Sequence, residues 1–244
     1  MDKKESNRRI SAIVPVYNEA PRIGAILDVL TTHPRLYEVI AVDDGSTDGT
    51  GEVIAKYNVK YLRNERNHGK GHAMDRGVAA SSGDIIFFCD ADLKGLTHDM
   101  VDQIINPVLE GRLEMFIGMC NRDIYMSGLA GPLVKIGPLL GGQRALTKSL
   151  WEMLPAFYKH KFRIETGLNF FAEKYGKGRD YKIFDDLTQV IKEDKHGFLP
   201  GTVHRLFMIY DILIAELRLS LFDTPKIIKE KTKQRKLASM TRRV

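Results

Sequence analysis

An α/β fold with a Rossmann-like, mixed but mainly parallel sheet flanked by helices is what this sequence predicts, and three observations carry that expectation. Apolar, β-branched runs recur at residues 10–16, 39–42 and 84–89. Segments with helical spacing lie between them. Polar residues suited to chemistry then gather where each strand should end: Tyr17-Asn18-Glu19, Asp43-Asp44 and Asp90-Ala91-Asp92. Alternating strands and helices imply βαβ units and parallel pairing. Sheets of that kind bind ligands beyond the carboxyl ends of their strands.

The elements follow in order. The strand at 10–16 leads into a helix at 20–32, where Ile23, Ile26, Leu27 and Leu30 share one face. The strand at 39–42 runs into Asp43-Asp44-Gly45, where glycine suits a close approach or a positive φ. Residues 48–57 read as helical, 60–63 as a short strand, 71–81 as a helix and 84–89 as the next strand. A helix at 97–110 and a strand at 115–120 come next, before the apolar, Gly- and Pro-rich stretch 123–142. Helices are expected at 146–154 and 165–175, an extended segment at 182–191, and a long apolar-rich helix at 206–222. No internal repeats are found.

A chain of 244 residues, 43% hydrophobic and 28% charged, has the composition of an ordinary globular protein. We expect one domain at 10–201, an N-terminal extension at 1–9, an amphipathic helix at 202–223 and a basic tail at 224–244. The tail carries eight basic residues against Glu230, so of the net +6 it supplies +7 and the remainder is close to neutral. Cys89 and Cys120 sit in apolar runs with no CxxC pairing, which suits reduced core thiols in the cytoplasm. The N-terminus has no apolar leader, and Asp211, Glu216 and Arg218 interrupt the most apolar late segment, so no membrane span is expected. The tail alone would allow nucleic-acid binding, but no aromatic and basic platform accompanies it, and no nucleic-acid partner is expected.

The run IIFFCDAD at 85–92 asks why a buried strand should close on two carboxylates. In extended backbone, residues i and i+2 face the same way, which would set Asp90 and Asp92 together with the small Ala91 opposite. Two like charges so close require a cation, and a hard ion such as Mg²⁺ or Mn²⁺ suits oxygen ligands, above all with a phosphate completing the shell. An Asp-rich capping turn is the plainer reading of the same triplet. Upstream, His68-Gly69-Lys70-Gly71 opens a helix, so its backbone N–H groups favour an anion there and Lys70 adds charge.

Taken together, VPVYNEA (14–20), VDDGSTDGT (42–50), NHGKGHAMDRG (67–77) and DAD (90–92) resemble family 2 glycosyltransferases of the GT-A fold. Within that family the chain looks most like the dolichyl- or polyprenyl-phosphate sugar synthases, over residues 10–201. The resemblance implies a metal-dependent, inverting transferase that moves a sugar from a UDP- or GDP-sugar to a lipid phosphate. It implies that Pro15, Tyr17, Asn18, Glu19 and Asp44 border the nucleoside, with Asp43 supporting the loop, and that Gly69 and Lys70 meet the phosphates. Asp90 and Asp92 would hold Mg²⁺ or Mn²⁺ on the diphosphate, with Ala91 between them among the donor-binding residues. Arg122 would lie near the phosphates, while Gln143 and Arg144 in GGQRAL (141–146) would serve the acceptor. Glu165, in FRIETGLNFFAEKYG (162–176), would be a base for a hydroxyl acceptor, an orienter of Arg144 or a helix cap. A phosphate acceptor needs no base. VIKEDKHGF (190–198) occupies the place of a basic loop, with Lys195 and His196 over the phosphates, although the family's usual order there is not reproduced. His196 or His204 would be a third metal ligand.

Two further partners are expected: an anionic membrane surface, met by 123–142, the late helix and the tail, and a lipid acceptor on the cytosolic face. The rival readings are transfer to a hydroxyl on a glycan, glycerolipid or small acid, and a non-catalytic nucleotide-binding scaffold. A sugar-phosphate nucleotidylyltransferase would need a Gly-rich, basic loop after the first strand, and VPVYNEAPR is not one.

Overall fold

The computed structural model describes residues 8–120, 141–160, 163–189 and 210–224. A seven-stranded sheet in the order β3-β2-β1-β4-β7-β6-β8 forms its centre. Its strands are β1 (Ile10–Val16), β2 (Glu38–Asp43), β3 (Lys60–Arg63), β4 (Ile85–Phe88), β6 (Met115–Cys120), β7 (Gln143–Thr147) and β8 (Arg179–Phe184). The β1, β2, β3 and β4 ladders are parallel, as is β6 with β8, while β7 runs antiparallel to both β4 and β6. Short strands β5 (Leu93–Lys94) and β9 (Thr188–Gln189) pair separately, Leu93 opposite Gln189.

Strand β1 is the switch point of the fold. The chain passes from β1 outward to β2 and β3, then returns to β4 on the other side of β1. The strand order reverses there, and the carboxyl ends of β1 and β4, side by side in the sheet, border the crevice where sheets of this kind bind ligands. The tyrosine–asparagine–glutamate turn and the acidic triplet both sit at that crevice.

Strict alternation along β1 feeds a core on each face of the sheet. Ala12, Val14 and Val16 pack with Ile23, Ile26, Leu27 and Leu30 of α1 (Ala20–Thr32) and with Val101, Ile104 and Ile105 of α4 (His98–Leu109). On the other face Ile13 meets Ala73, Met74 and Val78 of α3 (Lys70–Ala80), Trp151 of α5 (Lys148–Met153) and Leu168 of α6 (Arg163–Tyr175). Ala215 and Leu219 of the late helix join that second core. This helix, α7, covers residues 210–218 and ends in a π-helical turn at Leu219–Asp223.

Three expectations change. Residues 143–147 form β7, where a helix was expected from 146: the Phe88–Arg144 and Ile117–Arg144 registers draw this segment into the sheet, and Thr147 caps the helix that follows. The helix expected at 48–57 contracts to α2 (Thr50–Ile54), because Gly49 caps it with φ 85° and Asp48 accepts from Thr50 N at 3.1 Å. The extended stretch at 182–191 begins earlier, as β8, and breaks before β9. The apolar segment, apart from its last two residues, and the basic tail beyond Thr224 lie outside the described residues.

Candidate active site

Two turns beyond β1 and β2 are laced together. Asn18, in left-handed backbone at φ 52°, accepts from Thr47 N through its side chain at 2.9 Å, while its own N–H donates to Ser46 Oγ at 2.9 Å. Glu19 N donates to Thr50 Oγ1 at 2.9 Å, and Ala20 N to Asp48 Oδ2 at 3.1 Å. Burial works against the charge of Asp48, but bonds from Thr50 and Ala20 outweigh it and hold the carboxyl below the ordinary aspartate range. Pro15 lies inside β1 opposite Val42, Tyr17 is exposed, and the buried Glu19 pairs with Arg22 at 2.5 Å.

Asp43 is fully buried and anchors this loop. It accepts from Ser46 N at 2.8 Å, Tyr61 Oη at 2.9 Å and Arg63 Nη1 at 2.9 Å, and Arg63 Nη2 also donates to Ser46 O at 2.8 Å. Gly45, with φ 82°, has no room for a side chain, since a Cβ there would stand 2.7 Å from the backbone of Arg66.

Asp44 is also buried, and its oxygens are taken up by the loop that precedes α3. Asn64 Nδ2 donates at 2.6 Å, His68 N at 3.0 Å and Gly69 N at 2.6 Å. Arg76 donates to Asn64 Oδ1 and to Arg63 O, which fixes the orientation of the Asn64 amide. The anion held by the His68 and Gly69 N–H groups is thus the protein's own Asp44. Lys70, next in line, points to the acidic triplet.

Beyond Phe88 the backbone leaves the strand, and Ala91-Asp92 form a turn into β5. The two carboxylates meet here through Gln189 on β9, rather than by the alternation of an extended strand. Its amide nitrogen lies 3.3 Å from Asp90 Oδ2 and 2.8 Å from Asp92 Oδ1. Lys70 Nζ stands 2.6 Å from Asp90 Oδ1, and Gln143 Nε2 lies 3.3 Å from Asp90 Oδ2. Burial opposes the Lys70 charge, yet Asp90 and Glu165 together hold its ammonium above the usual lysine range. Gly142 makes space for this carboxylate: a Cβ there would sit 1.9 Å from Asp90 Oδ2.

Arg144, on β7 beneath Asp90, is 1% exposed. Its Nη2 donates to Gly141 O, and its Nη1 lies 4.0 Å from Met115 Sδ. Burial lowers its pKa, while Glu165 and Asp90 favour its charge and Arg179 opposes it. Glu165 occupies the first turn of α6, and its Oε2 is buried without a hydrogen-bond partner, as is Thr166 Oγ1 beside it. The arrangement sets two carboxylates, Asp90 and Asp92, against the single Lys70 ammonium, with Arg144 and Glu165 of opposite charge beside them.

Arg122, Lys195, His196 and His204 lie outside the described residues. Gln189, Gly142, Asn64, Arg63 and Arg76 were missed by sequence reasoning. Of these, the paired glycines at 141–142 gave a signal; the others are ordinary polar residues until β3, α3 and β9 bring them in.

The chain is 32% identical over 175 residues to the undecaprenyl-phosphate 4-deoxy-4-formamido-L-arabinose transferase of Yersinia pestis (strain Pestoides F), covering 66% of this chain and 52% of that protein. It is 38% identical over 101 residues to the dolichyl-phosphate beta-glucosyltransferase of Mus musculus, covering 35% of this chain and 31% of that protein. The chain spans between a quarter and about half of the length of the curated relatives it matches. In architecture it is similar to glucosyl-3-phosphoglycerate synthase of Mycobacterium tuberculosis, solved with Mn²⁺, uridine diphosphate and phosphoglyceric acid, with a TM-score of 0.70 at 22% identity, covering 86% of this chain and 79% of that one. At that identity the likeness speaks for the fold. The description "Glycosyl transferase family 2" matches residues 11–187, across both turns, the acidic triplet, Arg144 and Glu165, and the chain belongs to that family.

Proposed function

We propose that the chain is a metal-dependent, inverting glycosyltransferase that moves a sugar from a UDP- or GDP-sugar to a polyprenyl phosphate or related lipid. The observation that carries this reading is the convergence of Asp90 and Asp92 on the Gln189 amide, with the Lys70 ammonium already on Asp90. Two oxygens that reach one N–H donor can reach one small cation, and a positive charge is already called for at that point. Among the described residues no set of three or more His, Cys, Asp or Glu side chains converges as a metal site, so donor phosphates would complete the shell. A bound Mg²⁺ or Mn²⁺ would neutralise the departing nucleoside diphosphate.

The chain's own residues have separable tasks. The laced turns at 17–19 and 43–50 border the nucleoside, held by Asp43 and Asp44 from within. Lys70 offers the diphosphate a positive charge from the start of α3. Arg144, buried with few partners, presents a planar donor set to an acceptor oxyanion. The two relatives whose names specify undecaprenyl- and dolichyl-phosphate support a lipid phosphate as that acceptor. An anionic phosphate attacks in line without a base, so Glu165 would orient Arg144. A lipid acceptor also puts the chain at the cytosolic face of a membrane as a peripheral protein, and no helix among the described residues is long and apolar enough to cross one.

Transfer to a hydroxyl is the second reading, and the buried, unpartnered Glu165 Oε2 favours it, since a hydroxyl acceptor needs a base. Release of nucleoside diphosphate from UDP- and GDP-sugars, measured with Mn²⁺ and with or without polyprenyl phosphate, decides between them. Release that requires the lipid phosphate supports the first reading; release stimulated by hydroxyl acceptors instead transfers support to the second.

A further inference from the structure

Helix α7 is apolar on two opposite faces. Ile212, Ala215 and Leu219 face inward and are buried, the last two in the second core. On the other side Tyr210, Leu213 and Leu217 fall on one stripe by the 3.6-residue period, and Leu221 and Phe222 follow in the π-helical turn. These five side chains are 57–60% exposed. A helix that rests on a core and faces water would carry polar residues at those positions.

The inner face is tied down near the candidate acceptor site. Asp211 pairs with Arg163 at 3.7 Å, and the guanidiniums of Arg163 and Arg218 lie 4.5 and 4.3 Å from the Phe157 ring centre, on that one ring. Tyr158 Oη donates to Asp223. Arg163 stands two residues before Glu165 on α6. A surface that meets the outer stripe is therefore coupled through one residue to the end of the helix that carries Glu165.

The occupant is set by charge. Directly after α7 the sequence carries Lys226, Lys229, Lys231, Lys233, Arg235 and Lys236 against Glu230. An apolar stripe continued by a cluster of cations matches acyl chains beneath anionic headgroups. We propose that the outer stripe of α7 lies in the interface of an anionic lipid bilayer and so holds the Glu165 end of the site towards membrane lipid. This rests on the lipid-acceptor reading and names the surface through which it would be met.

The test uses the full chain and vesicles of equal parts phosphatidylcholine and phosphatidylglycerol. The double variant Leu213→Glu, Leu217→Glu is expected to lower vesicle partitioning by roughly tenfold or more, with its melting temperature and its UDP–Mn²⁺ thermal shift unchanged. An environment-sensitive dye on Leu217→Cys should shift to the blue on the same vesicles. Unchanged partitioning in the glutamate variant, or a dye that stays in water, overturns the proposal. So does a dimer of the parent chain that the glutamates dissociate, which would give the stripe to a second copy. Partitioning that depends on Leu213 and Leu217, without any transfer to polyprenyl phosphate, upholds the surface and overturns the acceptor reading alone.

Discussion

The ammonium of Lys70 rests 2.6 Å from Asp90 Oδ1. This contact joins the first turn of α3 to the end of β4 and puts a cation against the carboxylate that would share a metal ion. Lys70→Met should raise the donor KM roughly tenfold or more, the scale of a charge-assisted hydrogen bond lost beside an acidic group. Lys70→Arg should recover part of that loss. Titration of UDP binding in the presence of Mn²⁺ reads the effect directly, and a donor KM unmoved by the methionine would remove Lys70 from the site.

Asp92→Asn keeps size and hydrogen bonding while removing one charge. Metal-stimulated transfer should fall by roughly a hundredfold or more, with a melting temperature close to the parent's, because Asp92 is only partly buried. Full activity in this variant would show that the triplet does not hold the ion.

Gly142→Ala tests whether the fit around Asp90 matters. The added methyl meets Asp90 Oδ2 at 1.9 Å, so the carboxylate has to move. Displacements of about 1 Å at a reacting centre can cost roughly a hundredfold in rate. We expect kcat to drop far more than the stability does, in a comparison of turnover with thermal melting.

Arg63 supplies Asp43 with a charged partner from the edge strand β3, and its side chain is half exposed while Asp43 is not. Arg63→Ala should lower stability modestly, because Asp43 keeps its bonds from Ser46 N and Tyr61 Oη, and should weaken nucleotide binding as the 43–50 loop loosens. Arg63→Lys should restore more stability than nucleotide affinity, since lysine replaces the charge but not the two-pronged contact with Asp43 and Ser46 O. Chemical denaturation and nucleotide titration separate the two effects.

Far from the crevice, Glu38 gives a pH signature. Burial raises its pKa, but hydrogen bonds from Ser11 and Ser82 outweigh that and hold it below the ordinary glutamate range. A depressed native pKa stabilises the fold fully above the unfolded value of about 4.3, and the contribution disappears as pH falls through the native value. Glu38→Gln should therefore lower the melting temperature at neutral pH and flatten its decline in acid. A decline as steep as the parent's would assign acid sensitivity to other carboxylates.

Much of the first half of the sheet, with its turns, was legible in the sequence because its determinants are local. β-Branched runs fixed β1 and β4, apolar spacing fixed α1 and α4, and glycine at 45 marked backbone that no other residue fits. Other features depended on partners distant along the chain. Residues 143–147 have no strand signature strong enough to stand out in the sequence, where a helix was expected from 146, and became β7 once β4 and β6 offered ladders on both sides. Asp90 and Asp92 were expected to meet through backbone alternation, but a turn intervenes and Gln189, brought across by the β5–β9 pairing, draws them together.

The residue types, the strand–helix rhythm and the acidic triplet were decided by the sequence alone, because propensity and periodicity act over a few neighbouring positions. Tertiary structure decided that the His68 and Gly69 amides hold Asp44, that Arg144 is buried beside Glu165, and that α7 turns one apolar face inward and another outward. Each of those depends on which segment of a folded chain supplies the missing hydrogen bond, charge or contact. A buried polar group is paired by whatever the fold brings within about 3 Å, and that distance is set by packing.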